Sequence, residues 1–212
     1  MSIGSLLFKK VKITMLNSQK LDRINQKLTN SGICSELAES ATQLVFGYGN
    51  PNAKVVFIGE APGKNEDKEG RPFIGAAGKF LDEMLDNIGL KREEVYITNI
   101  VKYRPPNNRD PLPDKKNQFL PYLLEELEAI KPVIVVTLGR HSMNCFLPEE
   151  QIGKMHGQVI EKSGYIFVPL YHPAAALYNG AMRQLLIEDF NKIPVILENL
   201  NSTKKLKEKI QI

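Results

Sequence analysis

The stretch Lys54-Val-Val-Phe-Ile-Gly59 decides the fold, because it is a continuous run of β-branched and aromatic residues that ends in glycine. A run that is apolar at successive positions is typical of a strand buried on both faces of a parallel sheet. Three further runs have the same character: Glu94–Val101, Val133–Leu138 and Ile166–Tyr171. The sequence therefore predicts a core sheet of four strands.

Helical patterns separate these strands. Apolar residues recur at helical spacing from Phe80 to Ile88, and helices are also predicted over 120–130, 140–147 and 182–193. In the helix at 120–130 four leucines are expected on one side: Leu120, Leu123, Leu124 and Leu127. This alternation favours right-handed crossovers with helices on both faces of the sheet. The predicted fold class is α/β, a three-layer α/β/α sandwich around a central, mostly parallel four-stranded sheet.

The chain of 212 residues is long enough for one substantial domain with an arm. We predict a helical N-terminal arm over residues 1–49, a main domain over 50–198 and a basic, solvated C-terminal tail over 199–212. Three apolar side chains are expected to dock the arm: Leu21, Ile24 and Leu28.

The composition excludes several classes of protein. A hydrophobic fraction of 42% with 25% charged residues excludes wholesale disorder. No apolar run approaches the roughly 18 residues of a membrane span, and the first residues are too basic for a secretory signal. Cys34 and Cys145 cannot form a disulfide framework or fill a four-thiolate metal site. We predict a cytoplasmic monomer without a membrane partner, and the net charge of +4 permits a polyanionic one.

The turn Gly59-Glu-Ala-Pro-Gly63 lies where a ligand is expected, since ligands of open parallel sheets bind beyond the carboxyl ends of the strands. Its glycines allow a close approach to the backbone, but the ending of a phosphate-binding loop is missing. The carboxylate of Glu60 points toward the cleft in this interpretation. Alternatively, Glu60 caps a helix or forms an ion pair.

Two further residues are candidates for recognising a base. Phe73 lies on a polar loop, where an aromatic ring is either a loop anchor or a platform on which a base stacks. Asn99 interrupts an apolar strand near its end, so its amide needs partners or a ligand. An amide both accepts and donates, and can therefore pair with the N3–H and O4 edge of uracil, whereas cytosine presents the opposite polarity.

Histidine and basic residues provide the remaining candidates. His172 follows a strand and precedes a proline, where an imidazole can donate to a developing anion. His141, at a helix start, is interpreted as a surface or capping residue. Basic residues surround a Pro-Pro-Asn-Asn loop that either is an ordinary solvated loop or contacts DNA phosphates: Lys102, Arg104 and Arg109.

Taken together, these segments resemble the iron–sulfur uracil-DNA glycosylases of bacteria and archaea, often called family 4. The resemblance covers roughly Cys34 to Ile193, and it rests on an ordered series of segments: Phe46–Pro51, Gly59–Gly63 with Glu66-Asp67, Arg71–Gly78, Tyr96–Lys102, Arg104–Arg109, Thr137–Gly139 and His172–Leu177. It implies the fold predicted above and an enzyme that hydrolyses the N-glycosidic bond of deoxyuridine in DNA. Uracil would be released and an abasic site left for base excision repair.

The resemblance implies a role for each strand-end residue. Phe73 would stack on a uracil flipped out of the duplex, and Asn99 would bind its distinguishing edge. His172 would stabilise the negative charge that develops at uracil O2 as the bond to C1′ breaks. Glu60 would position the attacking water or stabilise the cationic sugar. Glu60 and His172 are therefore the predicted catalytic residues.

The resemblance also implies the rest of the pocket and the DNA contacts. Gly59 and Ala61 would line the uracil pocket, and Glu66 would exclude the methyl group of thymine. The segment 174–179 matches a loop that wedges into DNA, where Leu177 either fills the gap left by the flipped base or simply begins the next helix. The predicted DNA-binding residues are Arg104, Arg109, Ala174 and Leu177.

The iron–sulfur cluster of this family is not expected here. The family uses four cysteines, but only Cys34 matches a ligand position, and Ser31, Tyr103 and Phe119 stand at the others. Serine and aromatic side chains are poor iron ligands. We therefore predict no cofactor and no metal site, with the two aromatic rings filling the space of the cluster.

Two alternatives differ in class. The first is a noncatalytic DNA- or nucleotide-binding member of the same fold. The second is a nucleoside hydrolase or another nucleotide-processing α/β protein, which activity on free deoxyuridine alone would favour. A binding protein has less need of all four candidate side chains, which favours the glycosylase over the first alternative: Glu60, Phe73, Asn99 and His172.

Overall fold

The computed structural model describes residues 15–210, with the backbone alone for Asn201 and for 203–210. The first fourteen residues of the predicted arm and the last two of the predicted tail lie outside this range. Within it, one mixed sheet has the strand order β1-β3-β2-β4-β6-β5. Its strands are β1 Tyr48–Gly49, β2 Val55–Gly59, β3 Tyr96–Asn99, β4 Ile134–Leu138, β5 Ile160–Lys162 and β6 Tyr165–Leu170.

The four central strands β3, β2, β4 and β6 are mutually parallel and correspond to the four predicted strands, which confirms the predicted fold class. The sheet differs from the prediction by two short antiparallel edge strands. β1 pairs with β3, and β5 forms a hairpin with β6. Their two and three residues are too short for an apolar run and are held by backbone hydrogen bonds to a neighbouring strand.

Helices cover both faces of the sheet. The described residues form α1 Asn17–Ser31, α2 Ser35–Ser40, α3 Lys64–Glu69, α4 Ala76–Asn87, α5 Pro113–Ile130, α6 Arg140–Phe146, α7 Ile152–Met155, α8 Pro173–Ala176, α9 Gly180–Phe190 and α10 Ile193–Ile210. α10 continues through 199–210, so this part of the predicted tail is helical. None of the helices described is long and apolar enough to span a bilayer.

Side chains of β2 alternate between two apolar cores. Val56 and Ile58 face the core shared with α1 and α5, whereas Val55 and Phe57 face the core shared with α4 and α9. The three expected docking residues of α1 are buried in the first core: Leu21, Ile24 and Leu28. This alternation directs successive residues at each strand end to opposite faces of the sheet.

Of the four leucines expected on one side of α5, Leu124 lies at the edge of the buried surface and is 42% exposed. Glu126 is buried instead, because it forms a 2.9 Å ion pair with the buried ammonium of Lys102. That ammonium also donates to Thr98 Oγ1 of β3. The ion pair therefore ties α5 to the end of β3, which carries Asn99.

Candidate active site

The carboxyl ends of β2, β3 and β6 open into a cavity of about 300 Å³. Eight of the predicted site residues line this cavity, although they come from five separate segments of the chain. They are Glu60, Ala61, Glu66, Phe73, Asn99, Arg109, His172 and Ala174. Gly59, Arg104 and Leu177 are not among the lining residues.

Gly59 lies directly behind the cavity wall. A Cβ atom at this position would lie 2.4 Å from Asn99 Oδ1 and 2.5 Å from the ring of Phe73. These separations are shorter than van der Waals contact, so the two side chains reach their positions only because residue 59 is glycine. Gly59 was predicted to line the uracil pocket. In the structure its backbone lies behind the wall and allows the side chains of Asn99 and Phe73 to approach it closely.

Phe73 is both a loop anchor and a cavity wall. Its ring is buried in the core beside α4, and its centroid lies 5.7 Å from that of His172. Its backbone has a φ of 53°, which is strained for a bulky residue. Glu66 stabilises this loop, since its Oε1 accepts from the backbone nitrogens of Ile74 at 3.0 Å and Gly75 at 2.8 Å.

Asn99 ends β3 with its side chain buried at the cavity. Its Oδ1 accepts no hydrogen bond from any described residue. A buried acceptor without a partner costs roughly 1–3 kcal/mol. A ligand that brings an N–H donor would remove this cost.

His172 lines the cavity, and its hydrogen bonding and burial define its protonation state. Its Nδ1 accepts from the backbone nitrogen of Ala174 at 3.2 Å. Burial lowers the pKa of His172 to about 4, so the ring is neutral at pH 7. A neutral imidazole that accepts at Nδ1 carries its proton on Nε2. His172 is therefore a neutral N–H donor.

Glu60 belongs to a cluster of charged groups at the cavity mouth. Burial, and next the nearby charge of Asp110, raise the pKa of Glu60 to about 7, while Lys116 and Arg140 oppose this rise. Glu60 is thus divided between its acid and carboxylate forms near neutral pH. Glu60 lines the cavity, as the cleft interpretation requires.

His141 and Asp110 were not predicted to join this site. His141 Nε2 lies 3.8 Å from Glu60 Oε1 and 2.9 Å from Asp110 Oδ2. His141 lies in the first turn of α6 and is partly exposed, as interpreted, and it also contacts the cavity residue Glu60. A histidine and two carboxylates are ligands that metals accept. Here the Arg140 guanidinium already donates to Asp110 Oδ2 at 3.1 Å, so we interpret Glu60, Asp110 and His141 as part of an ion-pair cluster.

The loop after Lys102 places only part of the predicted basic group near the cavity. Arg109 lines the cavity, and Arg104 Nε donates to Asn108 Oδ1 at 2.8 Å. Asn107 and Asn108 adopt left-handed backbone conformations, which asparagine tolerates well. Both proposed alternatives for Lys102 were wrong, because its buried ammonium cannot reach solvent or a phosphate.

The comparison with known proteins agrees with this geometry. The family model of the uracil DNA glycosylase superfamily matches residues 46–193. The chain belongs to this superfamily. The matched span contains every residue that lines the cavity.

Curated relatives place the chain beside the type-4 members. It is 47% identical over 184 residues to the type-4 uracil-DNA glycosylase of Sulfurisphaera tokodaii, covering 82% of this chain and 83% of that one. It is 45% identical over 184 residues to the type-4 enzyme of Archaeoglobus fulgidus, covering 82% and 92%. A third, from Saccharolobus solfataricus, is 48% identical over 172 residues, covering 73% and 80%.

The four positions that match the cluster ligands of type-4 enzymes do not provide a ligand set. Ser31 Oγ donates to the backbone oxygen of Leu28 at 2.6 Å. Phe119 is fully buried, and its ring meets that of Tyr103 edge-on at 6.1 Å. Burial raises the pKa of the Cys34 thiol, which favours the protonated form over the thiolate that iron binds. These residues do not fit an iron–sulfur cluster.

Proposed function

We propose that this chain is a uracil-DNA glycosylase that hydrolyses the N-glycosidic bond of deoxyuridine in DNA. The matched family and the names of its type-4 relatives support this activity. Residues 50–198 are the proposed catalytic domain, acting as a cytoplasmic monomer on uracil-containing DNA.

The observation that carries the proposal is the amide of Asn99, a residue that lines the cavity and whose buried Oδ1 has no partner among the described residues. Uracil offers an N3–H donor to this oxygen, and its O4 can accept from the amide nitrogen of the same side chain. Cytosine has an acceptor at N3 and a donor at position 4, so it would leave both amide groups unpaired. The site therefore favours uracil over cytosine, because a pocket built to form hydrogen bonds rejects an analogue whose donors and acceptors are reversed.

Phe73 and His172 act on the base as it leaves. The ring of Phe73 provides a stacking surface beside Asn99. As the bond between C1′ and N1 breaks, its electron pair passes to the uracil ring, and charge accumulates at O2. The Nε2–H of the neutral His172 ring donates a hydrogen bond to this oxygen. The ring is neutral before and after it makes this bond. A preorganised donor of this kind is worth about 2.7–4 kcal/mol.

Glu60 acts on the other side of the bond. The sugar becomes positively charged as uracil leaves, and a carboxylate on this side stabilises that charge. The ionised form of Glu60 also accepts a hydrogen bond from a water molecule, which orients its oxygen toward C1′. Attack by this water forms a bond from its oxygen to C1′, its proton passes to the Glu60 carboxylate, and uracil departs as the anion held by His172, which leaves an abasic site.

Exclusion of thymine is assigned to Glu66 together with the turn that contains Ala61. Both residues line the cavity. The two backbone donors that hold the Glu66 carboxylate give it a defined position. A fixed group leaves less room for the extra methyl of thymine than a mobile side chain would.

Contacts to DNA surround the cavity mouth. Arg109 and Ala174 line the cavity, and Arg104 is joined to the same loop through Asn108. We assign the two arginines to phosphate groups, which guanidinium groups bind well. Leu177 and its neighbours form the loop that meets the unstacked base.

The enzyme is proposed to work without an iron–sulfur cluster. Support comes from the two cysteines of the whole chain and from the unsuitable donors at the other ligand positions. The aromatic pair of Tyr103 and Phe119 packs near Cys34 in the core. Apolar packing would then hold the loop that begins at Tyr103.

The test is strand cleavage by alkali of a labelled oligonucleotide with one uracil, after incubation with the protein. Uracil-dependent cleavage is expected, with none at thymine. His172→Ala should reduce the rate about 10²–10³-fold, and Asn99→Ala should also reduce it strongly. If the native protein is folded, binds DNA and causes no cleavage, the noncatalytic alternative is correct. Activity on free deoxyuridine alone would indicate a nucleoside hydrolase.

A further inference from the structure

Arg92 contacts the loop whose Phe73 ring lines the cavity. It lies in the short 3₁₀ turn Arg92–Glu94 that leads into β3, and its side chain is 19% exposed. Its Nη1 donates to Asp82 Oδ1 of α4 at 2.7 Å, and its Nη2 donates to the backbone oxygen of Pro72. No other described residue donates to this oxygen. One guanidinium group therefore joins α4 to the loop that carries Phe73.

The backbone oxygen of Pro72 belongs to the peptide unit that precedes Phe73. This unit is planar, so a bond to its oxygen also fixes the direction of the Phe73 nitrogen. The φ angle of Phe73 is 53°, a left-handed conformation that is unfavourable for a bulky side chain. Such a conformation persists only where the surrounding contacts impose it. The bond from Arg92 is one of these contacts.

The peptide unit that follows Phe73 is fixed by α4. A Cβ atom on Gly78 would lie 1.8 Å from the backbone oxygen of Phe73, so the loop lies directly against the helix. Gly78 and Asp82 are four residues apart and therefore share one face of α4. That face holds the loop at two points, by direct packing at Gly78 and through Arg92 at Asp82. Phe73 adopts its strained conformation between these two points.

We propose that Arg92 is a positioning residue of the glycosylase, which holds the ring of Phe73 in the orientation that stacks on the extruded uracil. This assignment rests on the proposed function. Arg92 is not among the residues that line the cavity. It acts through Phe73, because the peptide unit that it fixes sets the direction of the bond from Cα to Cβ of Phe73. A stacking surface that is already in place costs the bound base no ordering of the pocket.

The loop has further anchors on both sides of Phe73, so loss of Arg92 should disturb Phe73 alone. After Phe73, two backbone nitrogens donate to Glu66. Before it, the guanidinium of Arg71 lies 4.0 Å from the centre of the Tyr48 ring. We therefore expect the loss of Arg92 to change the rate of uracil release and to leave the binding of DNA intact.

The experiment measures single-turnover uracil release at increasing protein concentration. Arg92→Ala should lower the maximal rate about 10- to 100-fold, since it removes a hydrogen bond from a charged donor. The protein concentration that gives half of this rate should change by less than about threefold, because phosphate contacts dominate the binding of DNA. Arg92→Lys keeps a charged donor and should recover part of the rate.

Arg183→Ala is the matched control. Arg183 Nη2 donates to Glu83 Oε2 of α4 at 2.9 Å, and no hydrogen bond joins it to the Phe73 loop among the described residues. Its loss should change the maximal rate by less than about threefold. An equal loss of rate in Arg183→Ala and Arg92→Ala would overturn the proposal. So would an unchanged maximal rate in Arg92→Ala, or a loss confined to the binding of DNA.

A double-mutant cycle separates positioning from general stabilisation. If Arg92 acts through the ring of Phe73, then Arg92→Ala should lower the rate of the Phe73→Ala protein by less than about threefold. A residue that only stabilises the fold would lower the rate by the same factor with and without the ring. Equal factors in the two backgrounds would therefore overturn the proposal.

A second readout does not depend on catalysis. The ring centroids of Phe73 and His172 lie 5.7 Å apart, so the ring current of Phe73 shifts the proton resonances of the imidazole. The chain has three histidines, and His172→Ala identifies the resonance that belongs to this one. Arg92→Ala should move this resonance toward its position in Phe73→Ala, whereas Arg183→Ala should not.

The two readouts distinguish failure of the proposed function from failure of this inference. If the native protein releases no uracil, the proposed function fails, and the His172 resonance still decides whether Arg92 positions Phe73. A resonance in Arg92→Ala that equals the native one would show that the ring keeps its orientation without Arg92, which would overturn the inference whatever the activity.

Discussion

Replacing Asp110 by asparagine should allow the enzyme to work at lower pH. After burial, the charge of Asp110 is the largest cause of the raised pKa of Glu60. Removal of this like charge stabilises the Glu60 carboxylate, so the pKa of Glu60 falls. Because the ionised form of Glu60 is the one proposed to orient water, the rise of the reaction rate with pH, centred near 7 in the native protein, moves toward acid.

The size of the effect follows from distance and exposure. The ligand atoms of Glu60 and Asp110 lie within 4.8 Å of each other. Asp110 is 62% exposed, so solvent screens the interaction strongly. Two charges at this distance interact by about 0.9 kcal/mol in water, which corresponds to about 0.6 pH unit. At pH 6 the fraction of ionised Glu60, and with it the rate, should rise about threefold.

The assay is single-turnover uracil release from a single-stranded oligonucleotide between about pH 5 and pH 9, which limits the contribution of duplex opening. Asp114→Asn is the matched control, since Asp114 is 60% exposed and is paired with Lys115 at 3.3 Å. It removes the same charge without changing the surroundings of Glu60. A midpoint in Asp110→Asn equal to that of Asp114→Asn, or a shift toward alkali, would refute the reasoning.

Two further substitutions test the packing behind the site. Gly59→Ala should lower uracil release about a hundredfold, since its methyl would lie 2.4 Å from Asn99 Oδ1 and displace that side chain. Gly153→Ala is its control, because the nearest atom there is 3.8 Å away, and an equal effect of both would contradict the argument. Lys102→Met should lower the free energy of unfolding, measured in urea, by about 3–5 kcal/mol, because the buried Glu126 loses its partner. The double variant Lys102→Met with Glu126→Leu should recover most of this loss, and failure to recover would show that the ion pair itself is stabilising.

Residues at strand ends could be predicted because their signal is local. A polar residue such as Asn99 at the end of an apolar run, or His172 before a proline, is visible within a few positions of sequence. Parallel strands bring such ends to the same edge of the sheet. Most of the cavity lining followed from this rule.

The charged cluster had no local signal. His141 and Asp110 are 31 positions apart and contact each other only after α6 and the loop before α5 pack beside the turn that carries Glu60. The same holds for Lys102, which follows an apolar strand but reaches inward to Glu126 of α5. A charged residue in sequence is expected in solvent, and only a partner brought close by folding allows it to be buried.

The sequence by itself determined the four central strands along the chain, their parallel arrangement and the residue types that meet at the edge of the sheet. These depend on short-range patterns of apolar and polar side chains, which are present in the unfolded chain as well. The tertiary structure decided the chemistry of those residues: the raised pKa of Glu60, the neutral Nε2–H form of His172 and the position of Asn99 against Gly59. Each depends on burial or on an atom from a distant segment, because solvation and Coulomb energies are set by the surroundings that folding creates.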